Sequence, residues 1–140
     1  MAETREIDPV TGGEKGSKLA RFDLIPPEFE IALAEHYGLG ARKYADRNWE
    51  RGYRWGLSYA ALRRHLAAWA CGESIDPESG SHHLVAVAWH AITLYIFERR
   101  GLGTDDRAVS VDPLDHLSPD TALFTDGRKP LPLIEDNIPF

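Results

Sequence analysis

Between positions 73 and 83 the chain places Glu73, Asp76, Glu78, His82 and His83, five potential metal ligands within eleven residues. Carboxylate oxygens suit Mg2+ or Mn2+, and imidazole widens the choice towards Co2+ or Zn2+. His83 and His90 stand seven positions apart, two turns along one side of a helix, and His65 on a preceding helix can point into the same space. Read alone, Asp76-Pro77-Glu78-Ser79-Gly80 is also ordinary turn and capping chemistry, and His90 reads equally as a hydrogen-bonded core histidine. The residue types make a metal site one reading of the cluster and leave its ligands open.

Two other groupings carry chemistry. Lys15 and Lys18 lie in a glycine-rich stretch with Gly12, Gly13 and Gly16, Arg21 follows, and Lys43, Arg63 and Arg64 come later. A Gly/Lys segment can close over phosphates with backbone N–H and ammonium donors. It is not a P-loop, because the four-residue gap before Gly-Lys-Ser/Thr is missing. A solvated polar arm is the plain alternative. Tyr44, Asn48, Trp49, Tyr53 and Trp55 offer stacking surfaces and an amide for reading a base edge, or else line a core or a subunit contact. The single cysteine, Cys71, excludes an internal disulfide, and its place between Ala70 and Gly72 on an apolar helix end suggests a buried structural thiol.

The elements that must position these groups are helical. A first helix starts near Pro27, with Glu28 and Glu30 suited to its positive end, and Gly38 and Gly40 mark a place to break or kink. A second takes Ser58 as N-cap, lines Leu62, Leu66 and Trp69 on one face and ends near Gly72. A third runs from about Ser81 to Arg99 and is apolar around most of its circumference, which makes it the central buried helix. Residues 1–26 read as an ordered loop rather than a regular element. The fold expected is all-α: a helical domain over 1–103 followed by an extended Asp/Pro-containing tail over 104–140. Three long helices have few ways to cover Leu84, Trp89, Leu94 and Phe97, so the bundle is expected to be completed in a homo-oligomer.

The 140 residues suit one domain, and 43% hydrophobic content is ordinary for a globular chain. A net charge of -6 argues against coating nucleic acid, although local cations can still bind a small anion. The longest apolar stretch, Leu84 to Phe97, is interrupted by His90 and Thr93 and is too short to span a bilayer comfortably. With no signal-peptide-like run at the start, a cytoplasmic location is expected, which is the host cytoplasm for a phage-encoded chain.

Several separated blocks occur in a telling order: Lys18 to Pro27 (Lys-Leu-Ala-Arg-Phe-Asp-Leu-Ile-Pro-Pro), Gly40 to Tyr44, Asn48-Trp49, Arg64-His65-Leu66, Gly72-Glu73, Asp76 to Gly80 and His83-Leu84. Together, over about residues 8–98, they resemble the N-terminal domain family of phage dATP/dGTP diphosphohydrolases, which includes MazZ-type enzymes and is similar to the all-α MazG-type nucleoside triphosphate pyrophosphohydrolases. The resemblance implies a MazG-like helical bundle, a dimer or tetramer, and Mg2+ or Mn2+ held by carboxylates. It implies cleavage between the α- and β-phosphates of a purine deoxynucleoside triphosphate, dGTP above all in MazZ-type enzymes, where the dGMP formed feeds synthesis of 2-aminoadenine nucleotides. The chain departs from the MazG pattern of Glu-Glu-x-x-Glu followed by Glu-x-x-Asp, since it reads His83-Leu84-Val85-Ala86 at the second position.

On that resemblance Glu73, Asp76, His83 and His65 are the expected metal ligands. Glu78 or Glu35 orients the attacking water. Lys15, Lys18, Arg21 and Asp23 belong to the segment that closes over the phosphates, Lys43 and Arg64 add charge from the helical body, and Asn48 and Trp49 contact base or sugar. Two rivals stand beside it: release of whole tripolyphosphate, for which the usual adjacent His-Asp pair is absent (Asp115-His116 is reversed), and a non-catalytic nucleotide-binding or host-interaction module.

Overall fold

In the computed structural model, which describes residues 3–108, the chain runs β1 (Thr4–Ile7), β2 (Glu14–Ser17), α1 (Pro27–Lys43), α2 (Trp55–Ala70) and α3 (His83–Arg100), with 3-10 turns at Phe22–Leu24 and Asn48–Arg51. The fold is a small, mostly helical domain with a two-stranded sheet. Residues up to Asp106 belong to one unit. The expected tail falls, past residue 108, outside the described residues.

Helix α3 is the element on which the others are laid. It packs against both α1 and α2, and it supplies Val85, Ala86 and Phe97, the buried apolar residues among those described. Its outward stripe is narrow, Ala91, Tyr95 and Glu98, as expected of a helix apolar nearly all round. It begins at His83 rather than Ser81, because His82 Nδ1 accepts the Leu84 N–H at 3.1 Å and caps the helix. Gly101, at φ 66°, ends it in the left-handed conformation.

Helix α1 starts at Pro27, as read from the sequence. It runs through Gly38 and Gly40 without a break. A glycine in a helix costs only about 1 kcal/mol relative to alanine, and packing against α3 along Leu33, His36, Tyr37, Gly40 and Ala41 outweighs that penalty.

Helix α2 begins three residues before Ser58, so Ser58 is not its N-cap. The cap comes from the chain that leaves α3. Asp106 Oδ1 accepts the Gly56 N–H at 2.7 Å, the Trp55 N–H is accepted by the Thr104 carbonyl at 3.1 Å, and the Thr104 N–H is accepted by the Tyr53 carbonyl at 3.2 Å. The Trp55 indole N–H adds a 2.8 Å bond to the Leu102 carbonyl. This strap needs glycine on both sides. Gly52 (φ 80°) and Gly103 (φ 68°) are left-handed, and a side chain on either would run into the other strand's backbone. At the far end of α2, Cys71 is exposed, contrary to the buried thiol expected. The helix overshoots the core there, leaving Trp69 and Ala70 exposed as well.

The N-terminal stretch is a hairpin rather than a loop. Asp8 Oδ1 accepts the Val10 and Thr11 N–H groups at 2.8 and 2.7 Å, and Gly12 takes φ 74°. That turn sets β1 against β2 antiparallel, with Ile7 opposite Glu14 and Thr4 opposite Ser17. Much apolar surface stays uncovered: Leu19, Phe22 and Leu24 ahead of α1, and Leu57, Tyr59, Leu66 and Trp69 on α2. No helix of the described residues is long and apolar enough to cross a membrane.

Phe97, fully buried, meets Tyr53 edge-on at 4.9 Å and Trp49 at 6.2 Å between ring centroids. Phe97→Ala is expected to lower unfolding free energy by about 3–5 kcal/mol, read from the midpoint of urea denaturation.

Candidate functional site

The connection between α2 and α3 folds back on itself. The Asp76 N–H is bonded to the Ser81 carbonyl and the His83 N–H to the Ser74 carbonyl, both at 2.9 Å. Inside that closure Asp76 Oδ1 accepts the Glu78 N–H at 3.0 Å and Oδ2 accepts the Ser79 hydroxyl at 2.7 Å. Asp76 therefore uses both oxygens to shape its own turn. The fold-back brings Glu73 alongside the first turn of α3.

There a continuous chain of contacts crosses between helices. Glu73 Oε1 lies 2.7 Å from His83 Nε2, and His83 Nδ1 lies 2.9 Å from His65 Nδ1 on α2. The His65 ring stacks on His90 with centroids 5.8 Å apart and planes 25° from parallel. His90 Nδ1 is 3.1 Å from the Ser58 hydroxyl, which is 2.7 Å from the Tyr53 hydroxyl. Helix α1 contributes His36, whose Nδ1 is 2.8 Å from the Ser81 hydroxyl and whose ring meets Trp89 edge-on. Three helices and the fold-back between α2 and α3 thus bring four imidazoles and a carboxylate into one region.

Burial governs the charge state of this region. His90 is pushed down to about 4, by burial first and then by His65, His36 and Arg64. Burial likewise lowers His36 and His65; His65 lowers His36 further, and the carboxylate of Asp76 pulls both the other way. In Asp76 burial acts to raise the pKa and is outweighed. The Ser79 hydroxyl, the Glu78 N–H, His65 and His83 together hold it below the ordinary carboxylate value. Burial thus favours the neutral form of His36, His65 and His90, while Asp76 beside them favours the anion.

The four expected metal ligands are neighbours, and each makes hydrogen bonds within the cluster. Both Asp76 oxygens are occupied in its turn, and the two Nδ1 atoms face each other at hydrogen-bond distance. Among the described residues no group of three or more His, Cys, Asp or Glu side chains is arranged to hold a metal ion. Glu78 is exposed and stands 3.7 Å from Lys43 Nζ, which ties the end of α1 to the acidic turn. Arg64, beside His65, lines an open groove of about 450 Å³ on α2 with Arg63, Leu66, Ala67 and Ala70. Trp49 packs against Tyr37, Trp89 and Phe97, so its ring serves the aromatic core, while Asn48 beside it is exposed. Glu35 is exposed on α1. Arg21 and Asp23 are paired with each other through two hydrogen bonds, and Lys15 and Lys18 lie exposed in and after β2.

The family model for the dATP/dGTP diphosphohydrolase N-terminal domain matches residues 9–107. The chain belongs to this family. No curated protein and no solved structure matches it. The dATP/dGTP diphosphohydrolase N-terminal match takes in the hairpin turn, all three helices and the strap as far as Arg107. Within this domain, sequence reasoning passed over His36 and gave Ser58 and Tyr53 other roles, as a helix cap and a stacking surface. The first was detectable as a histidine on the inward stripe of α1, in step with Leu33, Tyr37 and Gly40; the other two become visible only once His90 is placed.

The depressed His90 sets a pH dependence. Above pH 6.5 the ring is neutral both folded and unfolded, so it contributes no pH dependence. Below that the unfolded chain takes up a proton that the folded ring refuses, and stability falls until the pH reaches about 4. Burial of His36 and His65 acts in the same direction. The wild type is expected to lose on the order of 2 kcal/mol from His90 between pH 7 and pH 4, allowing for the part of the ring that solvent still reaches. His90→Asn is expected to flatten that slope, checked by urea midpoints across the range.

Proposed function

We propose that the chain hydrolyses purine deoxynucleoside triphosphates, dGTP or dATP, to the monophosphate and pyrophosphate, in phage nucleotide metabolism. The observation that carries the reading is the family match over residues 9–107, which spans every element that contributes to the histidine–carboxylate cluster. The chemistry of the cluster supports it: imidazoles suited to proton transfer, beside a carboxylate, with Lys43 and Arg64 at the rim to meet phosphate.

Magnesium or manganese enters this reading as part of the substrate. A hard divalent ion commonly keeps several waters and is bound through phosphates with one or two carboxylates rather than by an all-protein cage. Exposed Glu78 fits that requirement. The ion screens phosphate charge; the protein's share is to bind, orient and move a proton. Lys15 and Lys18, which have no ion-pair partner among the described residues, supply further cations for the phosphates.

Each of the four deoxynucleoside triphosphates is to be incubated with Mg2+ or Mn2+ and the products resolved by chromatography. Monophosphate with pyrophosphate, fastest from dGTP or dATP and abolished by chelation, is the expected result. Absence of turnover with every nucleotide and both ions overturns the reading.

The active form in this reading is a homo-oligomer. Leu57, Tyr59, Leu66 and Trp69 on α2 and Leu19, Phe22 and Leu24 ahead of α1 are all exposed, and apolar side chains of this size suit a subunit contact. Multi-angle light scattering is expected to give a dimer or tetramer, and a monodisperse monomer refutes this part.

A further inference from the structure

Resting on the hydrolase reading above, we propose that Glu73, His83 and His65 form a proton relay rather than a metal-ligand set, with His65 Nε2 as the general base that takes the proton of the attacking water.

The argument is one of donors and acceptors. A carboxylate oxygen only accepts, so the 2.7 Å contact from Glu73 Oε1 requires His83 Nε2 to carry a hydrogen. A neutral His83 then has its lone pair on Nδ1. The contact from that atom to His65 Nδ1, at 2.9 Å, closes as a hydrogen bond only if His65 Nδ1 is the donor. The neutral His65 ring is left with its lone pair on Nε2. That atom makes no hydrogen bond among the described residues and is not sealed from solvent. Three side chains therefore fix one another's tautomers, and the chain ends in an unprotonated nitrogen that water can reach. The stack on His90, itself held by Ser58, keeps the plane of the His65 ring from rotating away.

The step balances. The water oxygen forms its bond to the α-phosphorus as its proton passes to His65 Nε2. The proton on His65 Nδ1 moves to His83 Nδ1. The bond from the α-phosphorus to the bridging oxygen breaks, and its electron pair leaves with pyrophosphate. The positive charge finishes on His83, beside the Glu73 carboxylate, instead of on the half-buried base. The charged and titratable groups around His65 are His36 from α1, Arg64 from its own helix, Asp76 and Glu78 from the acidic turn, and His83 and His90 from α3. Glu73 and His83 act through His65 and are positioning residues.

The test has a structural and a kinetic arm. In nitrogen-15 NMR of histidine-labelled protein without added metal, His83 is expected as the Nε2–H tautomer and His65 as the Nδ1–H tautomer, with coupling across the Nδ1–H···Nδ1 bond. An Nε2–H tautomer at His65 overturns the relay. In steady-state kinetics His65→Asn is expected to lower kcat by about 10²-fold or more. Glu73→Gln, at a half-exposed position that the fold tolerates, is expected to lower kcat markedly with KM nearly unchanged, and Glu73→Asp to restore part of it. Adding Glu73→Gln to His65→Asn is expected to cost nothing further, because the carboxylate acts only through the base. Additive losses in the double variant overturn the proposal. Absence of any wild-type turnover overturns the hydrolase reading and the base role with it, and the tautomers still decide whether the relay exists.

Discussion

The helical body is organised around a single demand: α3 carries imidazoles two turns apart, at His83 and His90, on a helix that is otherwise the centre of the core. An apolar helix buries readily, whereas a ring nitrogen taken out of water without a partner carries a penalty of a few kcal/mol. Each neighbouring element answers part of that demand. Helix α2 brings His65 to one ring and Ser58 to the other, and the fold-back after α2 brings Glu73. The Tyr53 hydroxyl, in the chain just ahead of α2, completes the satisfaction of Ser58. Thr93, on the same helix, is the buried side chain left without a partner among the described residues.

This arrangement explains why the residues most suggestive of a metal site behave as a network. Isolated buried imidazoles would expose lone pairs to an incoming ion. Here both ring nitrogens of His83 and the Nδ1 atoms of His65 and His90 already have hydrogen-bond partners, and each oxygen of Asp76 accepts a bond within the turn that delivers Glu73. Charges that stay free of the network sit outside it: Glu78 and Lys43 on the rim, Arg63 and Arg64 along the groove of α2. In the proposed reaction the inside moves protons and the outside meets phosphate and cation.

Central placement of α3 was legible in the sequence because its apolar residues leave almost no polar stripe, a property of local order alone. The start of α1 was legible for the same kind of reason, in Pro27 and the acids after it. What escaped depends on partners distant along the chain. Ser58 has the right chemistry for a cap, and only the return of Asp106 to Gly56, fifty positions earlier in the chain, releases it for the interior. His36 gains meaning from Ser81, forty-five positions on. The hairpin was misread because its strands are four residues each and held by a turn, Asp8 to Gly13, whose glycines signal flexibility as readily as a tight bend. The cluster of Glu73, Asp76, His65 and His83 was visible as a cluster, but which atom faces which is a matter of packing between α2 and α3.

The glycine crossing at Gly52 and Gly103 has a consequence for how the molecule opens. The strap joins the exit of α3 to the entrance of α2 by backbone bonds on both sides, so the two helices are ends of one closed circuit. The first turn of α2 cannot fray without also releasing Thr104 and Asp106. Small independent fluctuations are thereby exchanged for rarer concerted ones. Ser58 and Tyr53, which anchor the far side of the histidine stack, lie within that guarded stretch, so the rings keep their alignment through the short-lived motions that loosen ordinary helix ends.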